Sequence, residues 1–181
     1  MSLILLVFIL SALAFQVFPV SLGTDIKKGG VNSITIVVSL FLMQTLMLWL
    51  GIIVGRQFLH LSSGYANNVV FIGFFLVGMR IAMESFAIRK GERTYNSHNN
   101  QNIVLASLAQ SINTFLAGMI FYFFDFEEML LLAIIFLLAL LFSVAGSLIN
   151  HNKQSLAFTS LVYLIGGVGL IISSIYLGFF H

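Results

Sequence analysis

The sequence predicts an all-α membrane protein of six transmembrane helices, built as two inverted three-helix repeats. Three observations predict it. Of 181 residues, 60% are apolar and 8% charged, against roughly 45–50% and about 25% in soluble domains; a soluble chain so composed could not cover its surface with polar groups. The apolar residues fall into six stretches, near 3–22, 34–54, 69–88, 103–124, 129–149 and 156–180. Each is close to the roughly 20 residues a helix needs to cross about 30 Å of hydrocarbon. Third, the longest polar stretch, Arg89 to Asn102, falls at the middle of the chain. It predicts a first repeat over 1–90, a cytoplasmic linker over 91–102 and a second repeat over 103–181.

The first stretch resembles a secretory signal only in Ala12-Leu13-Ala14. It carries no Lys or Arg between Met1 and the apolar run, which a signal normally has, so it is taken as the first helix. Pro19 removes a backbone donor and frees the carbonyl of Phe15, predicting a local kink. The second stretch carries Gln44 and Thr45 near its middle, with Gly51 and Gly55 spaced for close helix approach. The third holds Arg80 and Glu84, one turn apart. The fourth carries Ser107, Gln110, Asn113 and Thr114 on one face. The fifth has Ser143, Gly146, Ser147 and Asn150 along a face, and the sixth has Gly166, Gly167 and Gly169. None of the stretches alternates with period two, as barrel strands would.

Lys and Arg in the loops set the orientation. Lys27, Lys28, Arg89, Lys90, Arg93 and Lys153 follow helices 1, 3 and 5, whereas Arg56 alone follows helices 2 and 4. Both termini are therefore expected outside the cytoplasm of a bacterial-type inner (plasma) membrane. Because three is odd, helix 4 enters from the side opposite to helix 1, so any likeness between halves is an inverted repeat. Gln16-Val17-Phe18 matches Asn113-Thr114-Phe115, Leu50-Gly51 matches Ala145-Gly146, and Gly78 can be set against Gly169.

The polar side chains within the helices carry the functional information. Each would lack a partner in lipid, so each should face protein or water. Gln16, Gln44 and Asn113, with Gln110 and Thr114, read either as amides bridging packed helices or as the lining of a shared cavity. Arg80 and Glu84 read either as an intrahelical pair that orients helix 3 or as a gate at the cytoplasmic mouth. Enzyme chemistry finds no support. The histidines, at 60, 98, 151 and 181, fall in loops or at the terminus, there are no cysteines, and no metal, triad or phosphate-loop motif is present. Neither a cofactor nor nucleic acid is expected.

Several segments together resemble the manganese efflux pump family (MntP-like, relatives of LysE-type exporters). Gly78-Met79-Arg80-Ile81-Ala82-Met83-Glu84-Ser85-Phe86 is similar to that family's Gly-Gly-Arg-(x)3-Glu-Gly-Phe stretch. Gln16-Val17-Phe18-Pro19-Val20-Ser21-Leu22-Gly23 looks like its Asp-Ala-Phe-Ala-Ala-Ser-Ile-Gly segment. Ser111-Ile112-Asn113-Thr114 looks like Ser-Leu-Asp-Ala, and Gln44-Thr45 like a Glu-Thr pair. The resemblance implies six helices in two inverted repeats and export of a divalent cation. Where the family carries three intramembrane carboxylates, however, this chain carries the amides Gln16, Gln44 and Asn113. Manganese suits carboxylate, carbonyl and water ligands, and amides supply oxygen without charge. The expectation is a transporter whose substrate has changed, moving a divalent cation or another small solute, or else a non-transporting subunit of a larger membrane complex. Its expected partners are the lipid bilayer and a membrane protein or a second copy of itself.

Overall fold

The computed structural model describes residues 2–22, 31–58, 64–91, 100–149 and 152–179, and among them there are helices and no strands. The helices are α1 (Leu3–Ala14), a 3₁₀ turn (Phe15–Val17), α2 (Phe18–Ser21), α3 (Val31–Phe58), α4 (Ala66–Arg89), α5 (Asn100–Phe121), α6 (Glu128–Leu148) and α7 (Lys153–Phe179). Five are long and apolar enough to span a bilayer: Leu3–Ser21, Ile34–Phe58, Ala66–Arg89, Glu128–Leu148 and Lys153–Phe179. Ser107–Phe121 is a shorter apolar helix. The protein is a multi-pass membrane protein. Most of the linker, Lys27, Lys28, Arg93, Asn150 and the histidines lie outside the described residues.

Helix ends extend past the apolar runs because polar caps sit just outside them. α7 begins three residues before its run, where Asn152 Oδ1 accepts from the Ser155 amide at 2.7 Å and Ser155 Oγ from the Asn152 amide at 3.0 Å. Ser2 Oγ accepts from the Leu5 amide at 3.3 Å to start α1. Just past the end of α4, Gly91 takes a φ of 76° and its amide donates back to Ile88 O at 2.9 Å. At Pro19 the expected kink is a break into α1, the 3₁₀ turn and α2. The Phe15 carbonyl that Pro19 cannot reach accepts instead from the Phe18 amide, one residue tighter than in an α-helix.

Helix pairs approach closely at glycines. A Cβ on Gly51 would lie 2.2 Å from Phe115 O and one on Gly118 2.5 Å from Leu48 O, so α3 and α5 touch backbone to backbone. A Cβ on Gly146 of α6 would lie 2.7 Å from Phe18 O of α2. Gly78 and Gly167 face each other across α4 and α7, each Cβ falling 2.7 Å from the other's carbonyl; Gly169 packs on Phe8 instead. The most extensive helix packing is α4 with α7 and α3 with α5. An ion pair joins Arg56 to Glu128, which puts the end of α3 and the start of α6 at one end of the bundle.

Candidate functional site

Inside the bundle, three amide side chains from three helices are buried, and two of them meet. Gln16 comes from the 3₁₀ turn, Gln44 from α3 and Asn113 from α5, and they are 0%, 1% and 0% exposed. Asn113 Nδ2 donates to Gln16 Oε1 at 2.9 Å, across 97 residues of chain. Gln44 Nε2 donates to Leu13 O at 2.8 Å and to Thr114 Oγ1. Thr114 follows Asn113 and Leu13 lies one turn before Gln16, so Gln44 is tied to the same two chain segments as the bonded pair, and these residues form one polar cluster. Amides at such depth need these bonds, because an unmet polar group buried in apolar surroundings costs about 1–3 kcal/mol.

Local structure explains the placement. The 3₁₀ turn at Pro19 advances the chain at about 120° per residue rather than the roughly 100° of an α-helix, and so sets where Gln16 points. Gly51 and Gly118 let α3 and α5 approach without intervening Cβ atoms, which brings the short Thr114 hydroxyl within reach of Gln44. On α5, the three- and four-residue spacing puts Ser107, Gln110, Asn113 and Thr114 on one buried face.

Gln110 joins through a residue the sequence did not single out. Gln110 Nε2 donates to Tyr163 OH at 2.8 Å, and Tyr163 OH donates to the backbone carbonyl of Gln16 at 2.9 Å. A Tyr within an apolar helix that buries its ring must find a partner for its hydroxyl, and that was the available signal. Nothing local could have shown that the Leu13 carbonyl would receive Gln44. Thr45, beside Gln44, bonds its own helix at Phe41 O, 2.9 Å away.

Arg80 and Glu84 lie elsewhere. Arg80 Nε donates to Glu84 Oε1 at 3.3 Å along α4. The pair opens on a surface groove of about 430 Å³ lined by α4 alone, between Leu76, Met79, Met83 and Ala87. Sequence spacing thus located two polar features, and the fold does not merge them. A second crevice, of about 300 Å³, is almost wholly apolar and runs past Phe8, Ala12, Phe15, Tyr163 and Gly166.

The amides carry no charge to offset a divalent cation. Among the described residues no three His, Cys, Asp or Glu side chains converge where they could hold a metal ion. Three of the amide atoms, Gln16 Nε2, Gln44 Oε1 and Asn113 Oδ1, are buried without a hydrogen-bond partner.

Residues 28–177 match the family model Mntp, described as "Putative manganese efflux pump". A protein of Methanothermobacter thermautotrophicus named "Putative manganese efflux pump MntP" is 27% identical over 175 residues, covering 95% of this chain and 93% of that one. A protein of the same name from Methanosphaera stadtmanae is 27% identical over 129 residues, 71% of each chain. No solved structure matches the chain.

Proposed function

The chain belongs to the Mntp family of manganese efflux pumps, and from that premise we propose that it is a small membrane transporter whose solute passes the amide cluster of Gln16, Gln44 and Asn113, with Gln110 and Thr114 beside it. It has given up the negative charge that a divalent ion would need there. The observation that carries this reading is the bond between Gln16 and Asn113. Residues 97 apart in sequence meet at 2.9 Å in the interior, at the positions where the family resemblance places acids.

The inverted repeat belongs to the same proposal. Exchanging the two halves turns Gly51 into Gly146 and Phe115 into Phe18, the pairs the sequence aligns. The Gly51 approach to Phe115 O then becomes the Gly146 approach to Phe18 O, and both are close. Gly78 and Gly167 exchange with each other, which favours Gly167 rather than Gly169 as the counterpart of Gly78. The Gln16–Asn113 bond likewise maps onto itself. These reciprocal contacts support six spans, in repeats over 1–90 and 103–181 joined by a linker over 91–102. The loop charges support termini outside the cytoplasm of a bacterial-type inner membrane. Arg80 and Glu84, apart from the cluster, enter the proposal as a gate at the cytoplasmic mouth.

The fold change from acids to amides is tested by restoring the acids. Cells lacking their own manganese exporter should gain more manganese resistance from the Gln16→Asp, Asn113→Asp double variant than from the unaltered chain. If neither confers resistance, and the unaltered chain copurifies in fixed ratio with another membrane protein, the transporter reading fails. The second reading, a non-transporting subunit, is favoured by one observation: Gln16 and Asn113 bond directly to each other at 0% exposure, as a purely structural clasp would.

A further inference from the structure

The unpaired amide atoms specify a class of guest. Asn113 Nδ2 and Gln16 Oε1 bond each other, while Gln16 Nε2, Asn113 Oδ1 and Gln44 Oε1 are unpaired. Turning both amides over swaps the roles, leaving an oxygen on Gln16 and an NH₂ on Asn113. Turning only one sets like atoms face to face. Gln44 cannot turn at all, because its NH₂ donates to the Leu13 carbonyl, which only accepts. In either arrangement, therefore, the unpaired set is two carbonyl oxygens and one NH₂.

We infer that this cluster binds a small neutral molecule that both donates and accepts hydrogen bonds, of the chemical class of urea, glycerol or water. This rests on the reading that the cluster is the solute site. Two oxygens ask for two donated hydrogens, and the NH₂ asks for a lone pair. A bare metal cation would meet the positive hydrogens of the NH₂ and find no carboxylate to offset its charge. An ammonium ion offers donors only and would meet the same NH₂. A guest that accepts but cannot donate leaves both oxygens unmet at a depth where unmet groups are costly. The approach fits an uncharged guest too. Tyr163, whose hydroxyl bonds the Gln16 carbonyl, also lines the apolar crevice with Phe15, a wall that would penalise an ion far more than a neutral molecule.

The test uses the full chain in lipid vesicles, with solute entry read by light scattering and manganese entry by quenching of a trapped dye. Urea and glycerol should enter several-fold faster than into protein-free vesicles, trimethylamine N-oxide (an acceptor only) no faster, and manganese not at all. Gln44→Leu should abolish urea entry. Gln44→Glu puts an oxygen against the Leu13 carbonyl, so both variants are first shown to be folded and monodisperse; it should lose urea entry while gaining manganese entry. Manganese entry without urea entry in the unaltered chain overturns the inference and leaves the transporter reading standing. Entry of neither, through protein shown to be folded and monodisperse, overturns both.

Discussion

Gln16, Gln44 and Asn113 are buried to within 1% where three helices meet, whereas the Arg80 side chain stays 37% exposed on the outer face of α4, with Glu84 beside it at 8%. Both features are polar groups in apolar helices, and each meets its needs differently. The amides bond across the bundle, to partners 31, 70 and 97 residues away, and keep one unpaired atom each. The ion pair joins two residues four apart on one helix. The difference teaches that neutral polar groups can be handed to tertiary contacts, which hold helices in register. A charged pair is solved locally, because carrying it unpaired through hydrocarbon during assembly is costly. The cluster should therefore depend on the packing of the whole bundle, and the pair should not.

The largest expected effect breaks the contact that delivers Gln44 to Thr114. Gly51→Leu places a side chain where a Cβ alone would come within 2.2 Å of Phe115 O. It should cost about 3 kcal/mol or more, seen as loss of a monodisperse species in detergent. Gly64→Ala, where a Cβ meets nothing within 4 Å, should leave the melting temperature unchanged. If both variants behave alike, close α3–α5 approach is not what builds the cluster.

A smaller loss is expected from Gln44→Leu, which strips donors from Leu13 O and Thr114 Oγ1. About 2 kcal/mol should disappear from unfolding in mixed micelles. The next prediction sharpens the comparison itself. A double-mutant cycle on Gln16→Leu and Asn113→Leu should show a coupling of about 1 kcal/mol. The cycle pairing Gln16→Leu with Arg80→Gln should be additive to within about 0.5 kcal/mol. Strong coupling in the second cycle would mean that the two regions form one unit. The smallest effect belongs to the surface: Arg56→Ala should remove the Glu128 pair at no more than about 0.5 kcal/mol, fading further in high salt.

Much of this architecture was legible in the residues. The apolar runs located every described helix to within about four residues, because the length that spans hydrocarbon is set by the 1.5 Å rise of the helix. Pro19 marked the break in the first helix, because a missing donor is a local fact. Gly51 and Gly55 marked close packing, though not its partner on α5. At the site, side-chain chemistry picked out Gln16, Gln44, Asn113, Gln110 and Thr114, since polar groups amid apolar ones must find partners. Tyr163 and the Leu13 carbonyl escaped notice, since a Tyr reads as apolar bulk and every residue has a carbonyl.

What the sequence determined by itself is therefore the medium and the inventory: a chain for the bilayer, where its helices lie, and which few polar groups they carry into it. Those properties are set residue by residue, by transfer free energy and backbone hydrogen bonding. Only the tertiary structure decided that Gln16 and Asn113 touch, that Gln44 reaches Thr114, that Tyr163 ties Gln110 to Gln16, and that Arg80 and Glu84 pair along α4. Such choices depend on helix rotation and close approach, which arise from packing among residues up to 147 positions apart and leave no mark in the spacing of any one helix.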